Sequence, residues 1–157
     1  MRWSQAIQPC ALAALVATLL MVLGLNVFVT MVSVGFLAVV FYRQRRPGIV
    51  IKALAGAKLG ALSGLLWFGA ASVLEAILAT ILHKGPEIRS ELIKRIDQAT
   101  SQTSDPQTLA MFERFKTPAG IEALMLIGLA CAFLAAIILA ALGGSVGGAI
   151  FGRKDKP

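Results

Sequence analysis

The reading of the fold turns on one charge-free stretch, Cys10–Tyr42, CALAALVATLLMVLGLNVFVTMVSVGFLAVVFY, 33 residues without Asp, Glu, Lys, Arg or His. As a single α-helix it would be about 50 Å long at 1.5 Å per residue, against a bilayer hydrocarbon core of about 30 Å. Gly24-Leu25-Asn26 fall near its middle, and Gly and Asn are turn residues. The stretch therefore predicts a tight helical hairpin, with helices over about 7–24 and 27–43, each at the short end for a span. A re-entrant pair is the minor alternative.

Two more apolar stretches follow. One runs from Ala53 to Leu82, interrupted by Lys58 and Glu75, and the other from Ile121 to Phe151 with no charge after Glu122. Both exceed the roughly 20 residues that a span needs. They predict spans over about 56–82 and 119–150, tilted or projecting at one end. Composition agrees. The AVILMFWYC fraction is 57% and the charged fraction only 15%, against about 25% charged in soluble domains. Mean hydropathy is +0.80. These values exclude a soluble enzyme, a disordered tail and a disulfide-stapled secreted module. The expected fold is an all-α integral membrane four-helix bundle in one domain over 1–157, a short N-terminal hairpin plus two longer spans.

Arg2 ahead of an apolar run has the look of a secretory signal peptide. No small-x-small cleavage site precedes a polar start, however, and the run continues through Val27-Phe28-Val29. The first helix is therefore expected to stay. Gln8-Pro9 before Cys10 is not a lipoprotein-type context.

Between Leu82 and Ile121 the composition changes. His83-Lys84-Gly85-Pro86 breaks the third span. A helix is expected to follow, with Pro86 in its first turn and Glu87 at the positive end of its dipole. Ile88, Leu92 and Ile96, with Ile93 beside them, form one apolar stripe, and Glu91 and Arg95 an i,i+4 pair. After a polar linker, 99–104, Asp105-Pro106 predicts a second start, Asp105 as N-cap and Pro106 at N1. That helix carries Leu109, Met111, Phe112 and Phe115. Thr117-Pro118 repeats the cap signal and launches the last span. The segment over about 84–118 is thus a small helical outer loop.

Four spans put both termini on one side, and the basic residues then divide. Arg2, Arg43, Arg45, Arg46, Lys52, Lys58, Arg153, Lys154 and Lys156 share one side with only Asp155 opposing. Lys84, Arg89, Lys94, Arg95, Arg114 and Lys116 share the other with Glu87, Glu91, Asp97, Asp105, Glu113 and Glu122. Lys and Arg concentrate in short cytoplasmic loops. Both termini are therefore expected in the cytoplasm, in a chain integral to the cytoplasmic (inner) membrane. A three-span reading differs only in placing Arg2 outside. The net charge of +7 is absorbed by this division, and no basic stretch is interleaved with aromatics in a way that points to nucleic acid. Trp3 and Tyr42 suit a cytoplasmic interfacial belt, and Trp67 lies deeper as packing.

The clearest motif is Gly56-x-x-x-Gly60-x-x-x-Gly64, which recurs as Gly144-x-x-x-Gly148-x-x-x-Gly152 with Gly143 and Gly147 adjacent. A spacing of four puts each set on one helix face, where the missing side chains let a neighbouring helix approach closely. Topology puts both rows toward the cytoplasmic end. Packing of the third span on the fourth within one chain is the favoured reading. Self-association between copies and an accidental period are the alternatives.

Glu75 is the only acid well inside a span. An intramembrane carboxylate costs a few kcal/mol on insertion scales and is a functional candidate by default. The favoured reading is a carboxylate near the interface, protonated or bonded to a polar neighbour such as Asn26. The rival is a proton or ion site. His83 is read as a solvated interfacial histidine rather than a haem or chlorophyll ligand, and Lys58 as snorkelling to the cytoplasm. Cys10 and Cys131 read as small inert hydrophobes, with no CxxC or Cys/His cluster. No Ser/His/Asp set, phosphate loop, HExxH or paired carboxylates is visible, so no catalytic residue, metal or cofactor is expected.

The composition resembles that of small bacterial membrane proteins with glycine-rich spans. The expected function is non-enzymatic: an accessory or scaffold subunit, or a small homo-oligomer, held by glycine-zipper packing, with the bilayer and itself or a larger membrane complex as partners. The alternative is a small transporter or channel component using Glu75. Its other polar candidates, Asn26, Thr30, Ser33, Ser72 and Thr80, cluster in the outer half. The inner half offers little but Thr18 and Ser63, which ranks transport second. A membrane-bound enzyme ranks third.

Overall fold

The structure, a computed structural model, describes residues 3–46 and 48–152. Arg2, Arg153, Lys154, Asp155 and Lys156, on which part of the orientation reading rests, lie outside the described residues, as does the side chain of Trp3. The described residues are all-helical: α1 (Trp3–Val22), α2 (Val27–Arg45), α3 (Ala53–Ile81), α4 (Gly85–Thr100), α5 (Pro106–Lys116) and α6 (Pro118–Phe151). Three are long and apolar enough to cross a membrane: α2, α3 and α6. The apolar part of α1, Ala6–Val22, is shorter. The third and fourth apolar helices begin earlier than expected from the sequence, at Ala53 and Pro118.

The chain divides into two compact units, one of Met1–Leu74 with Phe133–Pro157, the other Glu75–Ala132. In the first unit the chain reverses at Gly24-Leu25-Asn26. Gly24 takes φ +93°, which costs a residue without Cβ nothing. Leu25 N–H donates to the Leu20 carbonyl at 3.1 Å and Gly24 N–H to that of Met21 at 3.0 Å. These are the crossed bonds of a Schellman motif, which satisfy carbonyls orphaned at the end of α1. Asn26 then caps α2, its Oδ1 accepting from Phe28 N–H at 2.9 Å. The core of this unit draws on four helices. It includes Ala6, Cys10, Ala13 and Ala17 of α1, Val34, Ala38 and Val39 of α2, Leu59 and Trp67 of α3, and Ala136 and Ala140 of α6. Most of these are alanines. Such a core gains stability through backbone proximity and dispersion rather than bulky interdigitation.

In the second unit α3 ends at a His83 in left-handed conformation, φ 50°. Lys84 N–H donates to the Ala79 carbonyl at 3.1 Å, so the stop has the same crossed-bond form with histidine where glycine is usual. Asp105 caps α5, accepting from Thr108 N–H at 3.0 Å and Gln107 N–H at 3.4 Å. Thr117 caps α6, its Oγ1 accepting from Gly120 N–H at 3.1 Å. Glu91 and Arg95 pair at 3.6 Å on the surface of α4. The expected apolar stripe of α4 is buried only at its C-terminal end: Ile96 is buried, Leu92 and Ile93 are half-buried and Ile88 is exposed. The reason is where α5 crosses. Lys116 of α5 bridges Asp97 at 2.9 Å and Glu113 at 2.7 Å, which anchors α5 against the last turns of α4 and leaves the first turns bare.

Candidate functional site

The feature that sequence singles out, the two glycine rows, lies in the first unit. A Cβ built on Gly56 would overlap the carbonyl of Gly144 and lie 3.1 Å from the Cα of Gly148. One built on Gly60 would overlap the Ala140 carbonyl and come within 3.0 Å of the Cα of Ala141. One on Gly64 would meet Ala140 Cβ at 2.7 Å and the Ala136 carbonyl at 2.8 Å. Each step of four along α3 is a step of four backward along α6, so the two segments run antiparallel with backbones in contact. Only glycine fits where the obstacle is a neighbour's backbone.

The register differs from a face-to-face match of the two glycine triplets. They overlap where Gly56 and Gly60 meet Gly144 and where Gly56 approaches Gly148. Beyond that, Gly64 lies against Ala136 and Ala140, while Gly148 faces Lys52 and Ala53, and Gly152 faces Ile51. Ala140 continues the α6 row at equally close range, because the space there is left by the missing side chains of Gly60 and Gly35, whose added Cβ atoms would overlap the Ala140 carbonyl. Sequence reading missed this extension, although Ala136-x-x-x-Ala140 keeps the same spacing of four.

The neighbouring glycines face another helix. A Cβ on Gly143 would overlap the Val32 carbonyl of α2, and one on Gly147 would meet Val39 Cβ at 3.2 Å and Phe36 Cδ2 at 3.3 Å. Adjacent residues on a helix point about 100° apart, so the paired glycines 143-144 and 147-148 give α6 two flat faces, one for α2 and one for α3. From α2, Gly35 closes on the same place: its Cβ would overlap the Ala140 carbonyl and lie 2.9 Å from Gly144 N. Gly35 carries no repeat in α2, so nothing in the sequence marks it. Helix α1 joins through Cys10, whose Sγ donates to the Leu59 carbonyl of α3 at 3.5 Å. Ser63 Oγ donates to the Gly60 carbonyl at 2.8 Å and reaches the Val34 carbonyl of α2 at 3.4 Å. Gly69 and Gly128 have open space around them and serve no such contact.

The polar candidates are placed as follows. Asn26 is exposed in the α1–α2 turn and its side-chain oxygen is engaged by Phe28 N–H. Glu75 is exposed on α3, in the second unit. Several hydroxyls return their protons to their own helix: Thr18 to the Ala14 carbonyl at 2.9 Å, Thr30 to that of Asn26 at 3.0 Å and Thr80 to that of Ala76 at 2.8 Å. A hydroxyl bonded back one turn is satisfied locally, which accounts for these groups without a polar track. Lys58 and His83 are exposed and Trp67 is buried. Among the described residues no group of three or more His, Cys, Asp or Glu is placed to hold a metal ion. In the second unit Asp105 is held below the usual carboxylate range by the Thr108 hydroxyl and backbone. Lys116 is held above its usual range by Glu113 and then Asp97. Both are structural pairings on the surface. The chain matches no protein-family model, no curated protein and no solved structure.

Proposed function

We propose that this chain is a four-span integral membrane protein of the interaction class, an accessory or scaffold subunit with both termini in the cytoplasm and an inner-membrane location. The observation that carries the reading is the outward face of the apolar helices. Leu15 of α1 is 64% exposed, Leu54 of α3 71% and Leu126 of α6 68%. Large apolar side chains of this kind recur along all three helices. Contiguous apolar surface beyond a few hundred Å² is rare on soluble monomers and marks a membrane or partner contact. Lipid accounts for that surface over the length of the helices. The zipper reading of the glycine rows is supported by their place between α3 and α6. Glycines spent inside the chain are not free to join copies, which favours an accessory or scaffold role over a homo-oligomer held by those rows.

The test is purification from native membranes in a mild detergent, followed by mass measurement of the intact particle. The reading expects this chain with at least one different chain in fixed stoichiometry. A particle holding one copy of this chain and only lipid and detergent would refute the subunit role.

A further inference from the structure

In the first unit the ends of α2 and α6 enclose an open groove of about 370 Å³, lined by Val40, Arg43, Gln44, Gly48 and Phe151. That volume falls within the range of small-molecule sites, about 300–1,000 Å³. The Arg43 guanidinium carbon sits 4.7 Å from the centroid of the Phe151 ring, and that ring rests against Phe36 with centroids 6.0 Å apart. Stacking occupies the face of the guanidinium and leaves its in-plane N–H donors at the edge for an acceptor.

Among the described residues of the first unit the cations have no Asp or Glu as counter-charge. Residues 1–74 include six Lys and Arg and no Asp or Glu. Arg43, Arg45, Arg46 and Lys52 are all exposed. Arg45 donates to Gln8, a neutral acceptor. The negative ends of two helix dipoles supply only about half a charge each. Four cations against roughly one unit leave a surplus of about three, so dipole complementation does not explain the cluster.

We propose that this groove binds the phosphate of an anionic phospholipid, with the Arg43 edge as donor and Val40 and Phe151 against the first acyl carbons. The proposal rests on the membrane reading above. A free phosphate has no use for an apolar wall. Here Val40 and Phe151 stand directly beside the cation, an arrangement that matches the boundary between headgroup and chain.

The test uses the full chain in phosphatidylcholine nanodiscs, and in neutral detergent for native mass spectrometry with equimolar phosphatidylglycerol and phosphatidylcholine of identical acyl chains. Phosphatidylglycerol is expected to bind first. Arg43→Gln should reduce that preference about fivefold, the usual share of one basic residue near an anionic surface. Arg43 is exposed, so its replacement spares the core. Phe151→Ala should also reduce the preference, and Lys94→Gln in α4 should not. Equal binding of the two lipids, or an Arg43→Gln variant with the wild-type preference, overturns the proposal while nanodisc entry leaves the membrane reading standing. Inorganic phosphate that displaces the lipid at equal concentration would make a free anion the ligand and overturn it as well. Failure to enter nanodiscs refutes the membrane reading and the proposal together.

Discussion

Adding one methyl group at Gly60 tests the contact between α3 and α6. The Cβ of Gly60→Ala would overlap the Ala140 carbonyl and lie 2.9 Å from its carbon and 3.0 Å from the Cα of Ala141. Ordinary carbon contacts need about 3.5–4.0 Å, and every obstacle is backbone, so no rotamer change relieves the clash. The helices must separate by something on the order of 1 Å, losing dispersion contacts along the row. Overpacking of this kind costs roughly 1–3 kcal/mol. The gain in helix propensity from Gly to Ala offsets up to about 1 kcal/mol. The net expectation is a loss of about 0–2 kcal/mol with the full offset and about 1–3 kcal/mol with none. Gly128→Ala on α6 is the matched control, because nothing lies within 4 Å of its added Cβ. It keeps the propensity gain and should stabilise by up to about 1 kcal/mol. Thermal unfolding in one detergent reads the difference, at about 2–4 °C per kcal/mol for a chain of this size. Gly60→Ala should melt below wild type and Gly128→Ala at or above it, and Gly60→Leu should be worse than Gly60→Ala. If Gly60→Ala and Gly128→Ala melted alike, the backbone contact would not exist in solution and the reasoning would fail.

Three further outcomes follow from the same geometry. Asn26→Ala should cost about 1 kcal/mol, with faster amide exchange at Phe28, whose N–H loses its acceptor; unchanged exchange there would count against the cap. Asp105 has a depressed pKa in the folded chain, so its contribution is complete at neutral pH. It should fade as pH drops below the unfolded value of about 3.9, read as a falling protection of Gln107 and Thr108 relative to the intrinsic exchange rate at each pH. Asp105→Asn should flatten that profile. Cys10 is buried against the Leu59 carbonyl and Cys131 is exposed, so Cys10→Leu should lower thermal stability by about 1–3 kcal/mol through overpacking and Cys131→Leu should not, and equal melting of the two variants would contradict the burial of α1 on α3.

Local punctuation was legible in the sequence because caps and turns are written in single residues. Gly24 supplies the positive φ, Asn26 and Asp105 the capping oxygens, and Pro106 and Pro118 the helix starts. The glycine rows were legible as faces, because a spacing of four needs only one helix to be seen. Their register was not. A period within one helix says nothing about which residue of another helix it meets, and alanine at 136 and 140 does the same work without standing out in an alanine-rich chain. The small-residue face of α1, Ala6, Cys10, Ala13 and Ala17, was missed for the same reason. Gly35 was missed because a single glycine in an apolar helix has no pattern. The exposure of Ile88 was missed because a stripe shows which face is apolar, not how far along it a partner helix reaches. His83 in left-handed backbone runs against local preference, and only the tertiary course of the chain at the end of α3 reveals it.

In the proposed arrangement α2, α3 and α6 have their outward apolar side chains in lipid. The most direct measurement is flotation. The full chain is reconstituted into phosphatidylcholine liposomes, washed at alkaline pH and centrifuged upward through a density gradient. An integral protein should rise with the lipid and stay with it after the wash, because burial of side chains such as Leu54, Leu126 and Ile138 holds it there. Recovery of the chain at the bottom of the gradient, free of lipid and monodisperse without detergent, would contradict the account.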